Sequence, residues 1–261
     1  MFCTILFSGK ITLWSIAKVF EAIRYTVLLK GFGHYDRLKD KNHSIFMAST
    51  SYHFTDVANN LTAFEFWSDT YPLYVRLNIN YAGTSAFSFK ISLCYHRTGV
   101  TLYTAYMTFV YVDYLTRKPC PFPDWYNEAK KLQMFESPQP RLALPNIPAG
   151  AFAYTTVSAF SDIDHNGHVN QSIYVKWCTD AGTVAALSGH YTGFSKNIGG
   201  YPFESMQLKY AKEGMVHETF ITYTWQDVSN SLVLYFVVTK QNEPAVFAKL
   251  HFKSFKSKSL L

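Results

Sequence analysis

The residues of this chain best suited to chemistry are crowded into ten consecutive positions, Ser161-Asp162-Ile163-Asp164-His165-Asn166-Gly167-His168-Val169-Asn170. A carboxylate, a carboxamide and an imidazole so close together are the parts of a general acid-base centre. The acid can activate water or attack an electrophile, the amide can orient that water, and an imidazole can shuttle protons near neutral pH. Asp, Asn and Gly also build turns and helix caps, because Asx side chains bond nearby backbone amides. The imidazoles of His165 and His168 would suit a metal ion, but no third ligand follows at a recognisable spacing, so neither metal nor cofactor is expected.

The elements around this segment would position it. A strand is predicted over residues 152–160 and a helix over 171–187, where Ile173, Trp177, Val184 and Leu187 recur at helical spacings and Gly189 stands where a C-cap glycine would. The junction therefore offers the free amides of a helix N-terminus, Gly167 and His168 among them, to an anion or a developing oxyanion.

The chain also repeats itself. Tyr71-Pro72-Leu73 returns as Tyr201-Pro202-Phe203, each opening a segment of alternating character that ends near a glycine, Gly83 or Gly214. Beyond these, the stretch from Phe87 and the stretch from Thr219 each read as strand, turn, strand, with Thr98-Gly99 and Ser229-Asn230 as turn chemistry. The first-half counterpart of the 171–187 helix is expected over residues 45–61. Seven prolines between 119 and 148 mark a connector, with a short helix over 125–135. Each half thus reads as a strand, a long helix and antiparallel strands that bury an apolar face on that helix, an α+β arrangement.

Bulk composition narrows the class. With 261 residues, 48% hydrophobic, 16% charged and 18% aromatic, the chain can close a sizeable core and favours strands, which excludes disorder and an all-helical fold. Cys3, Cys94, Cys120 and Cys178 form no CxxC pair, which argues against a zinc site or disulfide framework and for a reducing compartment. The net charge of +6 follows no nucleic-acid motif, so no nucleic acid is expected. The Lys249, Lys253, Lys256 and Lys258 tail reads as solvated, or as attracted to a phosphate-bearing ligand or membrane surface. Residues 1–30 carry Lys10, Lys18 and Arg24 but no acid before Glu21, which suits an organellar presequence, a membrane-surface helix or an amphipathic helix packed on the domain. An intracellular location follows, cytoplasmic or mitochondrial, with peripheral membrane contact compatible.

SDIDHNGHVNQSIYVKW, residues 161–177, closely resembles the D-x-D-x-N-x-H-V-N-x-x-x-Y-x-x-W signature of plant and bacterial acyl-ACP thioesterases, and the looser D-x-D-x-x-G-H-x-N pattern of the 4-hydroxybenzoyl-CoA thioesterase group. Tyr81-Ala82-Gly83-Thr84-Ser85 and residues 112–119 are similar, more weakly, to strand motifs of acyl-CoA thioesterases. The resemblance implies a tandem (double) hotdog, two antiparallel sheets each wrapped around one long helix in an intramolecular pseudo-dimer. It would comprise an N-terminal extension (1–30), a catalytically degenerate repeat (31–124), a Pro-rich linker (125–149) and a second repeat (150–256) that carries the active-site loop.

The resemblance further implies hydrolysis of fatty acyl thioesters, on CoA or acyl carrier protein, by a monomer or homodimer of double hotdogs. CoA is slightly favoured by the first-half strand motifs and the basic balance. Asp164, Asn166 and His168 match the family's acidic, amide and imidazole residues. Glu213, in Leu208-Lys209-Tyr210-Ala211-Lys212-Glu213-Gly214, matches the glutamate of its L-E-Y-R-R-E-C segment. Gly167, Asn170 and Tyr174 are expected to touch substrate. Gly214 stands where that segment has cysteine, which removes a cysteine nucleophile there, and Cys178 lies inside the predicted helix. A non-catalytic tandem hotdog that binds acyl-CoA or lipid is the alternative. The nearest first-half counterpart, residues 35–43 with Asp36, Asp40, Asn42 and His43, lacks the signature order and reads as degenerate, or as a second residue set facing the first across the repeat interface.

Overall fold

The computed structural model describes residues 9–62, 65, 73–131, 136–143 and 145–255. Two long helices, α1 (Leu13–Leu29) and α5 (Gln171–Leu187), lie against nine strands: β1 (His43–Phe54), β2 (Leu73–Ala82), β3 (Ala86–Tyr95), β4 (Thr101–Asp113), β5 (Phe152–Val157), β6 (Phe203–Tyr210), β7 (Thr219–Gln226), β8 (Val233–Lys240) and β9 (Glu243–Phe252). The short helices α2 (Tyr35–Leu38), α3 (Asp56–Asn60) and α4 (Asp124–Lys130) punctuate the connections.

Each long helix begins where its sequence supplies a cap. Thr12 accepts from the Ser15 amide at 3.2 Å to start α1, and Asn170 accepts from the Ser172 amide at 2.9 Å to start α5. In α1 the buried residues Leu13, Ile16, Ala17 and Phe20 follow the helical period, giving one inward stripe. The α5 helix is buried more widely, from Ile173 and Tyr174 through Trp177, Cys178, Ala181 and Gly182 to Ala186, because sheet and α1 both cover it. Its residue Gly182 allows close packing: a Cβ there would lie 3.1 Å from the Phe236 ring and 2.6 Å from Ile198 Cδ1. The predicted stop is met by Gly189, whose φ of +76° lies in the left-handed region.

The strands form a single antiparallel sheet in the order β2-β3-β4-β1-β6-β9-β8-β7-β5. The two expected sheets are therefore one: β1 and β6 pair at the centre, Ser49 opposite Lys209 and Tyr52 opposite Met206, so each half protects an edge of the other. The α1 helix packs on the first half, with the Phe20 and Tyr52 rings 5.7 Å apart. The α5 helix packs on the second, with Trp177 and Phe220 at 4.8 Å.

The first-half helix expected over 45–61 is instead β1, followed by α3. Long-range pairing on both sides, with β4 and with β6, prevails over local pattern, and Thr55 ends the strand by capping α3. The long helix of that half is α1, within the segment read as an N-terminal extension. Its apolar stripe faces the core, so that surface is not offered to a membrane. No described helix is long and apolar enough to cross one. The connector also contributes to the core, since Phe122 and Tyr126 are buried with rings 4.5 Å apart. Tyr71 and Pro72, the opening of the first repeat motif, Cys3, and the tail residues Lys256 and Lys258 lie outside the described residues.

Candidate active site

The loop between β5 and α5 is held by its own backbone. Asp164 N donates to His168 O at 2.8 Å, Gly167 N to Asp164 O at 3.0 Å, and Asn170 N to Asp162 O at 2.8 Å. Gly167, with φ +81°, makes the reversal that only glycine adopts without cost. The Asp164 carboxylate is half-buried, and its Oδ1 accepts from the amides of Asn166 at 2.8 Å and His168 at 3.4 Å. One oxygen thus serves the turn, as the capping reading requires, while Oδ2 bonds to none of the described residues.

A second segment closes on this loop. Val169 N donates to Gly214 O at 2.7 Å, which fixes the neighbouring Glu213 so that its Oε2 lies 3.4 Å from His168 Nε2. The structure therefore brings Glu213 against His168, on the same loop that carries Asp164 and Asn166. Asn166 is exposed, and its carboxamide bonds to none of the described residues. Gly214 lies tightly enclosed: a Cβ there would fall 2.6 Å from Phe220 Cζ and 2.7 Å from Tyr174 Oη, so the glycine is what this packing admits. Cys178 is buried in α5, and desolvation raises its thiol pKa, which makes it an inert core residue.

With this geometry in place, the relatives are informative. Residues 153–254 match the family model described as the acyl-ACP thioesterase C-terminal domain. The chain is similar to the hotdog-fold thioesterases. Its fold is that of an acyl-ACP thioesterase from Bacteroides thetaiotaomicron, with a TM-score of 0.69, 15% identity, and coverage of 97% of this chain and 96% of that one. It is likewise that of the 12:0-ACP thioesterase from Umbellularia californica, with a TM-score of 0.68, 13% identity, and coverage of 95% and 92%. No curated protein matches the sequence.

Of the three expected substrate contacts, Asn170 and Gly167 bond within the protein and Tyr174 lies in the core. Asn170 is the α5 cap: its Oδ1 accepts from Ser172 N and Oγ at 2.9 and 2.6 Å, and its Nδ2 donates to Glu21 Oε1 at 2.6 Å. Tyr174 is only 2% exposed, a core ring between Trp177 and Phe220, and burial raises its phenol pKa. The Gly167 and His168 amides, expected as oxyanion donors, both donate to Asp164. The turn spends the Gly167 amide on the Asp164 carbonyl and the His168 amide on the Asp164 carboxylate. A surface hollow of about 580 Å³ between Phe152, His190, Trp225 and Val228 is lined by none of the candidate residues.

Sequence reasoning missed the contribution of the first half. Glu21 reaches Asn170, Arg24 Nη1 donates to Gln171 Oε1 at 2.9 Å, and the Tyr25 ring lies 4.8 Å from that of His165. Arg117 Nη1 lies 3.5 Å from Glu213 Oε1. The available signal was Glu21, Arg24 and Tyr25 at one-turn spacing on a largely apolar helix. The polar candidates Asn42 and His43 are used locally: the His43 ring sits 3.2 Å from the Asp40 carboxylate and stacks on Tyr111 at 5.0 Å.

Proposed function

We propose that this thioesterase cleaves fatty acyl thioesters with Asp164, Asn166, His168 and Glu213 as its working residues. The observation that carries the reading is the 3.4 Å approach of Glu213 to His168, which joins the 161–170 loop to a separate segment in one acid-base cluster. A thioester carbonyl is already electrophilic, so the chemistry needs a positioned base, an oxyanion donor and a proton for the leaving thiolate. Asp164 Oδ2 takes a proton from water, whose oxygen adds to the carbonyl carbon. The Asn166 carboxamide donates to the resulting oxyanion. Collapse breaks the C–S bond, and the departing sulfur takes a proton from His168, which pairs with Glu213 when charged.

The carrier we propose is acyl carrier protein. Support comes from the family description that residues 153–254 match, which weighs more than the slight preference for CoA drawn from first-half strand motifs. The test is thiol release from acyl-CoA and acyl-ACP series of increasing chain length. Turnover on either carrier supports hydrolysis, with faster turnover on acyl-ACP supporting that carrier. Saturable binding without thiol release would favour the binding-only alternative, in which Asp164 is a turn residue and nothing more.

A further inference from the structure

We propose that Arg117, supplied by the first half, is a positioning residue that holds Glu213 in place beside His168, so that the reacting cluster spans both halves. The inference rests on the reading of Glu213 given above. The carboxylate is gripped from two sides: Oε2 faces His168 Nε2 at 3.4 Å, and Oε1 faces Arg117 Nη1 at 3.5 Å. Glu213 follows β6 in a solvent-accessible stretch and would otherwise sample several rotamers. A cation fixed on its outer oxygen leaves the inner oxygen for the imidazole.

The arginine is itself fixed. Its guanidinium carbon lies 4.6 Å from the centre of the Phe46 ring and 5.4 Å from that of Tyr114. Its backbone closes the turn after β4, where Arg117 N donates to Asp113 O at 2.9 Å and Asp113 Oδ1 accepts from Thr116 N at 2.7 Å. The same turn is tied to the start of β1, since Tyr114 N donates to Asn42 O at 2.7 Å. Arg117 also adopts φ +58°, uncommon for a residue with a side chain and a local cost that the surrounding bonds must hold.

Stability does not account for this arrangement, because a solvent-exposed ion pair contributes only about 0–1 kcal/mol. Recognition of the carrier's phosphate does not account for it either. The whole pantetheine arm separates that phosphate from the thioester, whereas Arg117 stands one ion-pair length from a group that touches His168. What remains is alignment, for which a guanidinium stacked on an aromatic ring is better suited than a flexible ammonium.

The test compares kcat and KM for the full chain, Arg117→Asn, Arg117→Lys, Glu213→Gln and the Arg117→Asn/Glu213→Gln double variant. Asparagine is chosen because it tolerates the left-handed backbone, so the turn survives without the cation. An unchanged thermal midpoint verifies that, and lysine serves as a second, conservative variant. Loss of alignment should lower kcat of Arg117→Asn about ten- to a hundredfold with KM nearly unchanged. Lysine should restore part of the loss, and Arg117→Asn should add nothing once Glu213 is glutamine. Additive losses, a change in KM alone, or unaltered kinetics in Arg117→Asn would overturn the inference while leaving Glu213's role intact. Unchanged kcat in Glu213→Gln would overturn both.

Discussion

Helices α1 and α5 take corresponding places against their halves of one sheet, yet they hold their polar residues at different positions along their length. The α5 helix starts from the loop with Asp164, Asn166 and His168, and its cap Asn170 completes that loop. The α1 helix starts from Thr12 and Ser15, which bond to each other, and carries Glu21 at its middle and Arg24 beyond it, where they bond to Asn170 and Gln171 at the start of α5. The difference teaches how a duplicated unit divides labour. In the proposed mechanism one half presents the reacting groups, and the other braces them through its helix and through Arg117.

That division can be broken from the largest effect downward. Replacing His168 with alanine removes the proposed proton donor of the second half, and kcat for thioester hydrolysis should fall about 10²- to 10⁴-fold. Kinetics on an acyl thioester would check this, and a loss under tenfold would place the proton transfer elsewhere. Gly214→Cys, which introduces the residue type of the segment that residues 208–214 resemble, forces a side chain against Phe220 and Tyr174. It should destabilise the fold by about 1–3 kcal/mol without raising activity, as denaturant unfolding and turnover would report.

Asn170→Ala sharpens the comparison, because this cap joins the two halves. Loss of the cap should cost about 1 kcal/mol in unfolding free energy, and it also deprives Glu21 of its partner across the interface. The smallest effect is expected from the first half's own Asn42 and His43. Their double replacement by alanine should leave kcat and KM unchanged, since His43 pairs with Asp40 and stacks on Tyr111. A large fall in kcat would mean that both halves carry reacting groups.

The unequal halves were also unequally legible. In the second half, β5, the polar loop and α5 stand in the order that local pattern predicts, because Asn170 and Gly189 bound the helix and one face of each strand is apolar. In the first half, the basic pattern of α1 suits a leader, a surface helix or a helix packed on the domain, and the last is found, its apolar stripe buried against β1 and α5. The Ser- and Thr-rich run of β1 reads as a poor helix because its stability comes from partners far away in sequence, Ala105 and Met206 opposite Tyr52 among them.

The site followed the same logic. Asp164, Asn166 and His168 were visible as neighbours in sequence, whereas Glu213 entered only through family resemblance. Glu21, Arg24 and Arg117 were hidden because their roles depend on how the halves join at β1 and β6. For Asn170 and Tyr174, sequence does not reveal that one amide caps α5 and one ring lies under Gly214.

The most direct test is the turnover of Asp164→Asn. Asparagine keeps an oxygen to accept from the Asn166 and His168 amides, so the loop and thermal midpoint should persist while the base is lost. Hydrolysis of an acyl thioester should then fall at least about a hundredfold in kcat. Wild-type kcat in a folded Asp164→Asn enzyme would contradict the account.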